Sequence, residues 1–359
     1  MPYTAETGAE AWDRLRALPI VIEVVDFEPL SRRVSPTFVR RTTVVCLRSG
    51  NDEGFGEDVD WDADEQRALP AHGRTLPLAG RLTLGSFCDL VAELDLFPEP
   101  PRQAAHRLYR RWAFESAALD LALRQAGRSL PDVLGRQPAP VRFVASPSLG
   151  NPPSAVPIRR RLDLDPTLRF KLDASPAWDE ELVQALAATN AVDVVDFKGA
   201  YHGTDVDRAP DAELYSRVAR GLESAWLEDP AWTAATRAAL APFLDRVTWD
   251  APIHSVNDVR ALDREPRMLN VKPSRIGSIH ELLAVYDYCR ERGIGMYGGG
   301  QFELGPGRGQ ALCLASLFHP DAPNDLAPRS YHDPQPRADL PRSPVRPEPD
   351  ATGFRMPDE

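Results

Sequence analysis

The chain has 359 residues, 43% of them hydrophobic, with a formal net charge of −11 and a pI near 5.2. That length suits two domains, or one barrel-sized domain with a smaller one appended. The acidic balance excludes the basic footprint of a nucleic-acid-binding surface, and no apolar run approaches the roughly 18 residues of a membrane span. The first residues, Met1 to Glu6, carry neither a basic nor an apolar segment, so no secretion signal is read and a cytoplasmic location is expected. Cys46, Cys88, Cys289 and Cys313 are scattered without metal-ligand spacing and read as small buried hydrophobes in a reducing compartment.

In chain order, residues 20–61 predict antiparallel sheet: 20–25 and 41–47 are rich in β-branched residues, and 49–54 is turn chemistry. Helix follows. In 112–126, Phe114, Ala117, Ala118 and Leu121 recur at helical spacing, with Gly127 and Pro131 as the stop. From Val141 the pattern becomes strand–helix alternation. Strands are expected at 142–146, 168–172, 192–196, 225–228, 247–250, 268–272 and 294–297, with helices clearest at 178–188, 212–221, 233–244 and 278–292. Several of these strands are continuous apolar runs, as in a parallel sheet covered on both faces. Seven or eight such units favour a closed barrel over an open sheet. From Pro320 onward ten prolines and no periodicity predict a tail that returns over the first domain. The expected division is a capping domain over 1–140, a barrel over 141–328 and a returning segment over 329–359.

Five ionisable residues fall at the expected ends of successive strands: Lys171, Asp196, Glu228, Asp250 and Lys272. Parallel strands alternating with helices point their carboxyl ends to one face, so these residues should converge there. Three carboxylates suit a hard divalent cation, Mg²⁺ or Mn²⁺, which takes oxygen ligands and keeps positions for substrate. Such an ion would bind a substrate carboxylate and stabilise the enolate formed when its α-proton leaves. The flanking lysines would face the α-carbon, with pKa values lowered by the cation and by partial desolvation. A lone strand-end acid is more often a helix cap; five in succession are hard to explain that way. Glu303 is read as a hydrogen-bonding group near the site or a helix cap. Gly305-Pro-Gly-Arg-Gly309 is read as a turn or an anion cradle. His202 and His254 follow expected strand ends and are read as solvated or as site residues. Trp226 and Trp249 are expected in barrel packing.

This arrangement resembles the enolase superfamily and, within it, the muconate lactonizing enzyme subgroup. The likeness rests on the helix 112–123, on Gly54-Phe-Gly-Glu-Asp58, and on Arg169-Phe-Lys171 in place of Lys-x-Lys. It rests further on the three strand-end acids, on Lys272-Pro-Ser-Arg-Ile-Gly277, and on Gly298-Gly-Gly-Gln-Phe-Glu303 with 305–309. The last segment is similar to o-succinylbenzoate synthases and N-acylamino acid racemases. The resemblance implies an α/β protein, a (β/α)₇β modified TIM barrel with an α+β capping domain whose loops close the site. It implies catalytic Lys171 and Lys272, metal ligands Asp196, Glu228 and Asp250, and a lyase or racemase acting on a small-molecule carboxylate. Arg169, Lys198, Ser35 and Glu303 are the expected substrate-binding residues. The cap segment 30–38, with Ser31, Arg32, Arg33 and Ser35, is expected over the barrel mouth and suits a second anionic group on the substrate. A homo-oligomer is expected.

Three departures from the family pattern stand out. Lys198 replaces the usual Asn two residues after the third-strand acid, Ala251 replaces the Glu after the fifth-strand acid, and Arg169 replaces a lysine. Lys198 prompts a second reading, a metal-binding barrel without turnover that serves as a regulatory or scaffold protein.

Overall fold

The computed structural model describes residues 7–35, 38–204, 206–346, 348 and 350–356. In the N-terminal part, β1 (Pro19–Ile22) pairs antiparallel with β5 (Gly80–Thr83), while β2 (Val24–Arg33), β3 (Val39–Ser49) and β4 (Asp52–Asp58) form a three-stranded antiparallel sheet. The β-branched core of β3 explains its burial: Val44, Val45, Cys46 and Leu47 are all within 4% of full burial. The sheet packs on the helix Ala105–Gln125, longer than the expected 112–126 because its first turn is polar and carries no apolar period. Gly54 and Gly56 lie directly against this helix. A Cβ at Gly56 would sit 2.0 Å from the Ala113 carbonyl oxygen, so only glycine allows the approach.

The second part is built on parallel strands. Here β6 (Phe170–Asp173), β7 (Val192–Asp196), β8 (Trp226–Glu228) and β9 (Val247–Thr248) form one sheet, and β10 (Met268–Asn270) pairs with β11 (Gly295–Tyr297). Parallel bridges add Ala145 to Phe170, Trp249 to Leu269, Gly299 to Asp325 and Phe143 to Asn324. Between the strands run helices such as Glu180–Ala187, Ala212–Gly221 and Ile279–Arg292. Their starts are set by short polar side chains: Asp179, Asp211 and Ser278 each accept the first-turn N–H of Leu182, Leu214 and Glu281.

The expected strand at 142–146 is reduced to single-residue bridges, and the stretch from Pro320 is not all tail. Asn324 and Asp325 pair with Phe143 and Gly299. Two paired residues between prolines leave no periodicity to read, which is why the sequence conceals them. Among residues 350–356, Phe354 is fully buried, Arg355 Nε lies 2.7 Å from Asp120, and Leu130 N–H donates to the Gly353 carbonyl. All four cysteines are free and buried. Among the described residues no helix is long and apolar enough to cross a membrane.

Candidate active site

Parallel register brings the five expected residues together. Asp173 pairs with Asp196, Asp196 with Glu228 and Glu228 with Thr248, so the carboxyl ends of β6 to β9 lie level. Asp250 and Lys272 come just past the ends of β9 and β10. Lys171 Nζ lies 2.5 Å from Glu228 Oε1 and 3.7 Å from Asp196 Oδ2. Lys272 Nζ lies 2.7 Å from Asp250 Oδ2. Lys171 thus meets Asp196 and Glu228 while Lys272 meets Asp250, and all five are buried. Gly299 leaves the room that Lys272 occupies, since a Cβ there would stand 2.7 Å from Lys272 Cε.

Each carboxylate meets a cation of the chain itself. Asp196 Oδ2 is 2.5 Å from Lys198 Nζ, and Asp250 Oδ1 is 3.1 Å from Arg275 Nε. The Tyr201 hydroxyl donates to Asp250 Oδ2 at 2.8 Å, and the Tyr297 hydroxyl donates to Glu228 Oε2. Asp229 accepts the Asp250 and Ala251 N–H groups at 2.8 and 2.9 Å and so holds the turn that presents Asp250.

Burial pushes Glu228 up to about 8; Lys171 pulls it back, while Asp196, Asp250 and Asp229 push further. Burial, Asp250 and Asp196 likewise raise Asp229 to about 7. Asp250 goes the other way: burial opposes ionisation, but Arg275 and Lys272 outweigh it and hold the carboxyl well below the usual range. Lys171 departs from the expected lowering. Burial favours its neutral amine, yet Glu228, Asp196 and Asp325 outweigh burial and hold it above the ordinary lysine value. The physical reason is direct: the carboxylates expected to face an ion face the ammonium.

Oxygens of Asp196, Glu228 and Asp229 lie within 4.8 Å of one another, all on buried residues. Hard oxygen donors so placed fit a divalent cation. The buried Asn270, whose amide N–H₂ reaches Glu228 Oε2 at 3.4 Å, has no hydrogen-bond partner for its amide oxygen among the described residues. Asp250, expected as the third ligand, is not part of this group: its oxygens turn to Lys272, Arg275 and Tyr201, and Asp229 stands in its place.

The other expected residues are dispersed. Arg169 is taken to the opposite end of the strands, where it pairs with Asp193 at 2.5 Å and with the Asn190 carbonyl. Ser35 accepts the Phe38 N–H at 3.0 Å in the connection between β2 and β3; the neighbouring Pro36 and Thr37 of the expected cap loop lie outside the described residues. Arg32 of the same segment reaches Asp333 at 2.9 Å. Glu303 accepts the Gln301 N–H at 2.7 Å, and its Oε2 is buried without a hydrogen-bond partner among the described residues. The glycine turn 305–309 opens the helix Gly307–Phe318, and the anion it cradles is the chain's own Glu57, which accepts the N–H groups of Leu304, Gly305 and Gly307. His202 is largely exposed near Asp207, and His254 sits against the Arg275 carbonyl.

Sequence reasoning assigned no role to Asp229, Tyr201, Asn270, Arg275, Tyr297 or Asp325. Tyr297 ends β11 and Asn270 precedes Lys272 by two, so the strand-end rule and the two-residue alternation of a strand point to both. Asp325, 3.7 Å from Lys171 Nζ, sits in the proline-rich stretch and carries no such signal.

Buried carboxylates and two buried lysines thus meet at the ends of parallel strands. The chain belongs to the family described as "domain of unknown function (DUF8230)", whose N-terminal domain matches residues 13–133 and C-terminal domain residues 137–333. It is 26% identical over 230 residues to the o-succinylbenzoate synthase of Geobacillus stearothermophilus, a match covering 61% of this chain and 59% of that protein. It is 27% identical over 339 residues to the N-succinylamino acid racemase of Thermus thermophilus, covering 85% of this chain and 84% of the relative. Its fold matches the muconate lactonizing enzyme of Pseudomonas putida, with a TM-score of 0.61, 18% identity, and coverage of 86% of this chain and 88% of that one. A Listeria innocua member of the enolase superfamily aligns with a TM-score of 0.64 at 16% identity, covering 95% and 92%. The resemblance read from the motifs is thus borne out.

Proposed function

We propose that the protein is an enzyme that removes the proton α to a substrate carboxylate, using Lys171 and Lys272 as the acid–base pair. The observation that carries this is that two buried amines contact different members of one group of buried carboxylates. Lys171 removes or returns the proton on one face of the α-carbon, and Lys272 serves the other face. Asp250 and Glu228 hold the two amines in place; the Tyr297 and Asn270 side chains fix Glu228, and Asp229 fixes Asp250. For Lys171 to act as a base, Glu228 and Asp196 must be engaged by something other than its ammonium. Asp196 and Glu228, with Asp229 within reach and Asp250 once released from Lys272 and Arg275, would hold a divalent cation, Mg²⁺ or Mn²⁺, which when bound would supply positive charge against the substrate carboxylate.

The outcome we infer is either an o-succinylbenzoate synthase-like elimination or an N-succinylamino acid racemase-like proton transfer, matching the relatives' names. The substrate is a small carboxylate with a second anionic group, received by Arg32 and Ser35 of the cap. Arg169 is left out of this role because it is committed to Asp193. The parallel bridges support closure of the strands into a (β/α)₇β barrel over 141–328, with 1–140 as cap and 329–359 as its returning segment; a homo-oligomeric assembly is inferred from the family resemblance alone. The chain's own neutralisation of the carboxylates is the observation behind the second reading, a metal-binding barrel without turnover that serves as a regulatory or scaffold protein.

The test is α-hydrogen exchange in D₂O with N-succinylamino acids and o-succinylbenzoate precursors, in the presence of Mg²⁺. Exchange lost for one enantiomer in Lys171→Ala and for the other in Lys272→Ala supports two-base chemistry. Exchange untouched by Lys272→Ala reduces that residue to a passive cation. No exchange from the wild type with any of these substrates supports the scaffold.

A further inference from the structure

We propose that Lys198 is a built-in counter-cation that competes with the divalent ion for Asp196, and that Asp173 is the berth it moves to when the ion enters. This rests on the metal reading above and deepens it by assigning a regulatory part to two residues of this chain.

The geometry is local and specific. The Lys198 N–H donates to Asp196 Oδ1 at 2.9 Å, so the backbone is tied to one oxygen of the carboxylate. The residue adopts a φ of 55°, a left-handed conformation uncommon outside glycine, asparagine and aspartate. That turn folds the side chain back on its own strand end, and Nζ reaches the other oxygen, Asp196 Oδ2, at 2.5 Å. One carboxylate is thereby engaged at both oxygens by one residue.

Asp196 Oδ2 is also 3.7 Å from Lys171 Nζ, so this oxygen faces the centre of the cluster. A dication and an ammonium cannot share it: like charges a few ångströms apart in a buried setting repel strongly. Some second partner must receive the displaced ammonium, and one is present. Asp173 Oδ1 lies 3.4 Å from the same Nζ, at the end of β6 and in register with Asp196. Its side chain is 67% exposed, against none for Asp196, so it is a solvated partner that can accept the ammonium without desolvating it. The four-carbon lysine stem swings between two carboxylates without backbone movement.

An Asn at this position would leave Asp196 open at all times. With Lys198 the acidic cluster is charge-compensated when empty, and the ion binds only by displacing it.

The experiment measures Mn²⁺ and Mg²⁺ binding to the full chain, by Mn²⁺ electron paramagnetic resonance and by calorimetry. It compares the wild type with Lys198→Asn, Lys198→Gln, Asp173→Asn and the Lys198→Asn/Asp173→Asn double variant. Removal of the competitor is expected to tighten binding by about tenfold or more. Asp173→Asn is expected to weaken binding by several-fold through loss of the berth, and this effect should vanish in the double variant. Lys198→Gln serves as the second form should the Asn variant fail to fold. Equal affinity of the wild type and the Lys198 variants overturns the proposal and leaves the metal reading intact. An Asp173→Asn effect of the same size with and without Lys198 also overturns it, since Asp173 then acts only as a nearby charge. No ion bound by any variant overturns both.

Discussion

His319 should make the protein lose stability in mild acid, by an amount that can be worked out. Its ring is buried; Nδ1 meets Asn324 Oδ1 at 2.7 Å and Nε2 has no hydrogen-bond partner among the described residues. Asn324 Oδ1 also accepts the Gly298 N–H at 2.7 Å, so the imidazole braces the segment beside Lys272. Burial lowers the His319 imidazole to about 4 from 6.5, against an opposing contribution from the Asn324 hydrogen bond. An unfolded chain takes up this proton near pH 6.5, the folded chain only near its lowered value. The folded state therefore binds fewer protons in between. The stabilisation is present above the unfolded value and is lost as pH falls towards the folded one. Integrated over that interval, the loss is about 2 kcal/mol between about pH 7 and pH 5. Urea unfolding of the wild type and His319→Gln at both pH values isolates it, because titration of the other groups cancels in the comparison. The variant should decline less steeply than the wild type by about that amount. Parallel declines would show that the ring is not held neutral by burial, and the reasoning fails.

Other outcomes follow from the same structure. Arg110 is fully buried, 2.8 Å from both Asp58 and Asp60, so Arg110→Met strands two buried carboxylates and should cost roughly 3–5 kcal/mol, read from the urea midpoint. Glu57→Gln removes charged acceptors from the N–H groups of Leu304, Gly305 and Gly307; a loss of about 2–4 kcal/mol is expected, with faster amide exchange at those three residues. If exchange there is unchanged, the carboxylate does not hold that turn. Lys171→Met should lower α-proton exchange by about 10²–10⁴-fold if the amine is the base, with the far-ultraviolet dichroism unchanged.

Some of this site is legible without coordinates because its cause is local. Apolar runs broken by caps and turns set the strand–helix alternation, and Lys171, Asp196, Glu228, Asp250 and Lys272 stand where those runs end. Parallel pairing then carries them to one face, whatever their separation along the chain. Even the departures are visible: Lys198 and Ala251 are read directly against the motif.

The pairing of charges within the site is a different matter. Which cation meets which carboxylate depends on strand register, on the φ of 55° at Lys198 and on loops that cross from elsewhere, as Tyr201 does to reach Asp250. Glu57 finds its N–H partners some 250 residues away, at a turn whose sequence alone suggests an external anion. Asp325 is brought to Lys171 by a two-residue pairing too short to leave a pattern. Arg169 shows the reverse: its motif position suggests the site, and the tertiary structure commits it to Asp193 instead. Backbone periodicity is set by neighbours in sequence, whereas electrostatic partners are chosen by distance in space, and only the fold determines that distance.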